Sequence, residues 1–196
     1  MKEREVKVLG INLNVIEERL IQAGAILLKD EDQVNWVFRA DVLETPEGEL
    51  GYIRLRSTKS RITDDSTFEL TLKMKESAKG LRVYEEYTSQ VSDPKSVIEM
   101  FELLGHPLRH RGEKHRKSYR WQGIDFEMDQ WDENTYPDPY LEIEVQSEDD
   151  LERALQVLEI PRDLISTKSI SDLRKEWREN HANQSNNSTE GIGNRA

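Results

Sequence analysis

The chain has 196 residues, with 28 Lys and Arg against 39 Asp and Glu, a formal net charge of −11. That length suits one domain able to bury its own core, and the acidic excess argues against a nucleic-acid partner, which calls for a basic surface. Cysteine is absent, which excludes a disulfide framework, a thiolate nucleophile and Cys-ligated zinc or iron–sulfur.

The opening KEREVKVLG alternates with a period of two and predicts a strand. NLNVIEERLIQAGA follows, with Val15, Ile16, Leu20 and Ile21 at helical spacing and Gly24 as its stop. QVNWVFRAD, LGYIRLRST, TFELTLKMKES and LRVYEEYTSQV predict strands, separated by the turn-rich TPEG and KSRITDDS. DPKSVIEMFELLG, Asp93 to Gly105, predicts a helix with an Asp cap, Pro in its first turn and a closing Gly. Strands resume at KHRKSYRWQ and IDFEMDQW around a turn at Gly123, and then at LEIEV. SEDDLERALQVLEI and SISDLRKEW predict two more helices. Residues 1–179 are expected to form one domain, and residues 180–196, almost without apolar side chains, a disordered polar tail.

His106, His110, His115 and His181 lack the spacing of a zinc site. The charged start shows no signal peptide, and no run approaches the roughly 18 apolar residues of a membrane helix. A cytoplasmic protein without a membrane partner is expected. Trp36, Trp121, Trp131 and Trp177 read as packing residues rather than base-stacking platforms.

Strand parity carries the main signal. Glu3, Glu5 and Lys7 share a face opposite Val6 and Val8; Arg54 and Arg56 oppose Ile53 and Leu55; Lys73 and Lys75 oppose Leu72 and Met74. Lys114 pairs with Arg116, Asp125 with Glu127 and Asp129, and Glu142 with Glu144 opposite Leu141, Ile143 and Val145. A solvated sheet face intersperses charges, whereas here Arg and Lys pairs occupy some strands and carboxylate pairs others. Amphipathic helices stand ready to cover the apolar faces, which turns the charged faces inward. A closed sheet of about eight strands has just enough interior for side chains or one small ligand. An interior of Arg and Lys beside Glu and Asp is costly unless the charges pair or hold ions. Guanidinium groups suit phosphate oxygens, and clustered carboxylates suit Mg²⁺ or Mn²⁺. The pattern therefore describes a metal–polyphosphate site without a Gly-rich phosphate loop.

These residues resemble the CYTH domain, or triphosphate tunnel metalloenzyme superfamily. Glu3, Glu5 and Lys7 resemble its N-terminal Glu-x-Glu-x-Lys signature; RLR, KMK, KHR, the Asp129 position and EIE follow in its order, and TKSISDL resembles its closing segment. The resemblance implies an α+β fold: an eight-stranded antiparallel β-barrel, or tunnel, with a charged lumen and helices outside. It assigns phosphate binding to Lys7, Arg54, Arg56, Lys73, Lys75, Lys114, Arg116 and Lys168. It assigns metal binding to Glu3, Glu5, Glu142 and Glu144, with Asp129, Glu127 and Glu86 on the same side; Glu86 is preferred to its neighbour Glu85 because it is in phase with Arg82. Metal-ligating carboxylates of this kind should repel one another in the metal-free protein.

The expected activity is Mg²⁺- or Mn²⁺-dependent hydrolysis of a small-molecule triphosphate, either inorganic tripolyphosphate or an organic triphosphate. The catalytic group is expected to be a metal-activated water rather than a side chain. The alternatives are a class IV adenylyl cyclase, which also needs a nucleoside pocket that no sequence element supplies, and a non-enzymatic polyphosphate-binding module. The resemblance leaves the oligomeric state open, a homodimer included.

Overall fold

The computed structural model describes residues 2–45, 48–76 and 82–190; the side chains of residues 2–3, 48–49, 76, 82 and 182–190 lie outside the description. In chain order the elements are β1 (Lys2–Val8), α1 (Leu13–Gln22), β2 (Ile26–Phe38), β3 (Glu44–Thr45), β4 (Gly48–Glu49), β5 (Gly51–Ser60), β6 (Ser66–Glu76) and β7 (Arg82–Gln90). Then come α2 (Pro94–Leu103), β8 (Leu108–Trp121), β9 (Ile124–Trp131), β10 (Tyr140–Glu144), α3 (Glu148–Val157), β11 (Ile165–Ser166) and α4 (Ile170–Glu190).

The main sheet runs β10-β9-β8-β2-β5-β6-β7-β1, and β1 pairs back onto β10. Every pairing is antiparallel, which closes an eight-stranded barrel with no free edge along these strands. The two-residue β11 adds to the end of β1.

The core lies outside the barrel wall. Val6 and Val8 of β1, Phe126 of β9 and Leu141 and Ile143 of β10 face Ile16 and Leu20 of α1 and Leu151, Ala154 and Leu155 of α3. Helix α3 is started by a full capping box between Ser147 and Asp150, and α1 by Asn12 accepting from Asn14. Apolar residues of alternate parity thus meet the helices, and the charged parity is left inside.

Two strands are longer than their apolar pattern predicts. β2 starts at Ile26 and β8 at Leu108, through the charged stretches KDED and RHRGE. Their register sets Asp30 opposite Lys117, Glu31 opposite Arg116 and Asp32 opposite His115. The polar contact made across this part of the ladder is diagonal, His115 Nε2 to Asp30 Oδ1 at 2.8 Å, a property that neither segment shows alone. The backbone of α4 stays helical to Glu190, with His181 stacked on Trp177 at 3.9 Å between ring centroids; residues 191–196 lie outside the described residues. Among the described residues no helix is long and apolar enough to cross a membrane.

Candidate functional site

The barrel encloses a cavity of about 420 Å³. Six of the eight expected phosphate ligands line it: Lys7, Arg54, Arg56, Lys73, Lys114 and Arg116. Lys75 keeps the inward parity but is exposed, and lines a second cavity of about 570 Å³ under α4. The two cavities share Tyr52, Arg109, Ser169, Ser171 and Arg174. Lys168 lies elsewhere: it lines neither cavity, and its Nζ bonds Glu176 at 2.8 Å. The α4 start turns the next residues inward instead. Ser169 and Asp172 cap each other's backbone N–H, which directs Ser171 and Arg174 to the lumen.

Of the expected carboxylates, Glu5, Glu86, Glu127, Glu142 and Glu144 line the cavity. The side chain of Glu3 lies outside the described residues, although its backbone pairs with Tyr84. Asp129 is wholly buried within the wall, bonded by Lys114 at 2.6 Å, by Arg116 at 2.5 and 2.6 Å and by Tyr140 at 3.0 Å. It braces the basic residues and does not line the cavity. Glu86 faces in and pairs with Lys73, whereas Glu85 takes the opposite parity beside Met74.

Ion pairs hold the lumen charges. Glu142 reaches Lys7 at 2.6 Å and Arg116 at 2.7 Å, and Arg116 also pairs with Glu127. Burial would raise the Glu142 carboxyl, but Lys7, Arg116 and Lys114 outweigh it and hold the group well below the usual carboxylate range. Asp129 is lowered by the same balance: burial is overcome by Arg116 and Lys114. Glu127 shifts the other way, pushed up chiefly by burial. Burial, then the Arg116 charge, brings Lys114 down to about 7. Arg56 is lowered to about 10 by burial and by the charges of Arg54 and Arg116.

The β2–β5 wall has buried polar atoms without partners among the described residues: Arg54 Nε, Asn35 Nδ2 and Gln33 Oε1. Asn35 is oriented by Arg56, whose Nε donates to its Oδ1 at 2.9 Å. Gln33 and Asn35 carry no charge and so stand outside the charged pattern, although QVN places both on the inward parity of β2. His110, Thr135 and Arg174 are brought to the lumen only by the tertiary structure. Trp131 joins the lining too, with Lys114 Nζ 5.1 Å from its ring centroid and its Nε1 donating to Tyr140 at 2.7 Å.

For a divalent cation, the donor set is oxygen only and comes from three adjacent strands. Glu5 stands opposite Glu144 in register, Glu144 opposite Asp125, and Glu142 opposite Glu127. Like charges directly opposite destabilise a ladder, so these rows fit a bound cation. Among the described residues no three Asp, Glu or His side chains converge on one point; ion pairs to Lys7 and Arg116 hold Glu142 and Glu127.

A family model for the CYTH domain matches residues 1–174. The chain belongs to the CYTH domain family. The CYTH fold recurs in solved structures at low identity. A Pyrococcus horikoshii protein is 22% identical with a TM-score of 0.71, covering 87% of this chain and 98% of its own. A candidate adenylate cyclase from Vibrio parahaemolyticus is 15% identical with a TM-score of 0.64, covering 87% and 96%. A candidate adenylyl cyclase from Hippeastrum with a dominant triphosphatase activity is 18% identical with a TM-score of 0.60, covering 89% and 96%. These identities establish a shared fold and nothing finer. No curated protein matches the chain in sequence.

Proposed function

We propose that this CYTH protein is a divalent-metal-dependent triphosphatase acting on inorganic tripolyphosphate or an organic triphosphate held in the lumen. The observation that carries the reading is the pair of orphaned donors, Arg54 Nε and Asn35 Nδ2, on a wall that also bears Arg56. A buried donor without an acceptor costs about 1–3 kcal/mol, and phosphate oxygens supply acceptors of the right charge. The triphosphatase activity of the Hippeastrum relative is consistent with it.

Arg54, Arg56 and Lys73 hold the chain of phosphates, and Lys7 and Arg116 become available to it as they exchange partners with the carboxylates. Glu5, Glu142, Glu144 and Glu127 are the residues that would hold Mg²⁺ or Mn²⁺. When bound, the ion supplies neutralisation of phosphoryl charge and a more acidic water. Phosphoryl transfer depends mainly on positioning and charge, so no side-chain nucleophile is needed.

The test is a panel of tripolyphosphate, thiamine triphosphate and ATP with Mg²⁺ or Mn²⁺, scoring phosphate, pyrophosphate and cyclic AMP. Tripolyphosphate should be turned over at least as efficiently as ATP. Cyclic AMP and pyrophosphate from ATP, with tripolyphosphate only an inhibitor, would replace hydrolysis by cyclisation. Tight binding without turnover would make the protein a polyphosphate-binding module.

A further inference from the structure

His110 lies on the inward parity of β8, two steps beyond Lys114, and lines the lumen. In register it stands opposite Val37, and Val37 stands opposite Arg54, so imidazole and guanidinium belong to one row of the wall. The loop after β9 holds the ring. His110 Nε2 is 2.9 Å from Thr135 Oγ1, and that hydroxyl donates to Asp132 Oδ2 at 2.8 Å.

The direction of each proton follows. Asp132 accepts from the backbone N–H of Glu113 at 2.7 Å and of Thr135 at 2.9 Å. Burial opposes its ionisation, but these bonds outweigh it and hold the carboxyl below the ordinary range. An ionised Asp132 can only accept. Thr135 spends its one proton there, so it accepts from His110, whose Nε2 must carry hydrogen. The neutral ring then has its lone pair on Nδ1, which has no partner among the described residues. The backbone is shaped around this chain. A Cβ on Gly112 would collide with Thr135 Oγ1 and stand 3.0 Å from His110 Nε2.

We infer that His110 is a proton-linked ligand for the bound phosphate chain: neutral without ligand, it takes up one proton from solvent as the polyanion enters, then donates from Nδ1. The inference rests on the lumen being a triphosphate site. A lone pair on Nδ1 repels a phosphate oxygen, whereas an N–H at the same atom makes a charge-assisted bond. The charged groups around the ring come from four elements. Arg174 and Arg178 on α4, Arg54 on β5, and Arg109 and Lys114 on β8 oppose protonation, and Asp132 favours it. Burial, then Arg174 and Arg178, keep the imidazole below its ordinary value. A polyphosphate would neutralise those arginines and reverse the balance.

The test is NMR titration of the four histidines in the full chain, in EDTA, with and without tripolyphosphate. His110→Gln assigns the resonance; if that variant does not fold, His106→Gln, His115→Gln and His181→Gln assign it by difference. Tripolyphosphate should raise the titration midpoint of His110, moving it about tenfold or more in proton concentration. The affinity lost between pH 6 and 8 should then be up to about tenfold greater in the wild type than in His110→Gln, the limit for one linked proton whose midpoint moves by that tenfold. Calorimetric binding with an unmoved His110 midpoint overturns the inference and leaves the triphosphate reading intact. No binding of tripolyphosphate, in EDTA or with Ca²⁺, sinks that reading and this inference with it.

Discussion

Lys7 Nζ stands 2.6 Å from Glu142 Oε1, and the two residues face each other in register across the β1–β10 seam that closes the barrel. Lys7 is 1% exposed and Glu142 8%, so each charge leans on its partner. Repulsion between Glu142 and its neighbours Glu127 and Asp129 is therefore offset in the metal-free protein by the fold's own cations, and a triphosphate with its metal would have to replace these pairs with better ones.

Glu142→Gln is accordingly expected to lower both activity and stability. Gln still accepts a hydrogen bond but leaves Lys7 and Arg116 short of a negative charge. The expected loss is about 1–3 kcal/mol without metal, below the roughly 3–5 kcal/mol of a fully broken buried pair. Urea unfolding in EDTA measures it. Unchanged stability would show that the pair contributes nothing.

Acid should unfold the protein partly through this cluster. Glu142 and Asp129 have folded pKa values below their ordinary ones. Their stabilisation is present above the unfolded value and is lost as pH falls through the folded one. Glu127, raised in the fold, works in the opposite sense. Stability should therefore fall on acidification below about pH 4.5, and less steeply in Glu142→Gln. Parallel profiles for variant and wild type would rule Glu142 out as a source.

Arg56→Ala should weaken tripolyphosphate and ATP alike, by about 1.5–3 kcal/mol for a charge-assisted contact. Lys168→Ala should change neither by more than about twofold, because Lys168 bonds Glu176 outside the lumen. Arg174→Ala should resemble Arg56→Ala. Equilibrium binding in EDTA separates these from effects on turnover, and a large loss in Lys168→Ala would return that residue to the site.

Gly112→Ala should cost about 1–3 kcal/mol by overpacking, since the new methyl would meet Thr135 Oγ1, His110 Nε2 and, at 3.1 Å, Trp131 Cζ3. Thermal unfolding measures the loss. A neutral result would mean that the loop after β9 can move aside.

Within the strands that the sequence predicts, which residues face the lumen and which face the helices is legible in the amino-acid order alone. Parity is local, so Arg54 and Arg56 had to oppose Ile53 and Leu55 whatever the barrel did. Closure followed from the same pattern: apolar faces need helices such as α1 and α3, and a sheet covered on the outside must turn its charges in. What parity could not decide was which inward charges meet. Asp129 and Glu142 look alike in sequence, yet register buries Asp129 behind Lys114 and Arg116 while Glu142 lines the cavity. Lys168 looked like a ligand because its segment resembles a motif; helix α4 starts two residues later and directs Arg174 inward instead. The lengths of β2 and β8 and the His110–Thr135–Asp132 chain likewise depend on partners far away in sequence. Cross-strand charge pairing and loop docking act only between segments that the fold has already brought together, so no single segment encodes them.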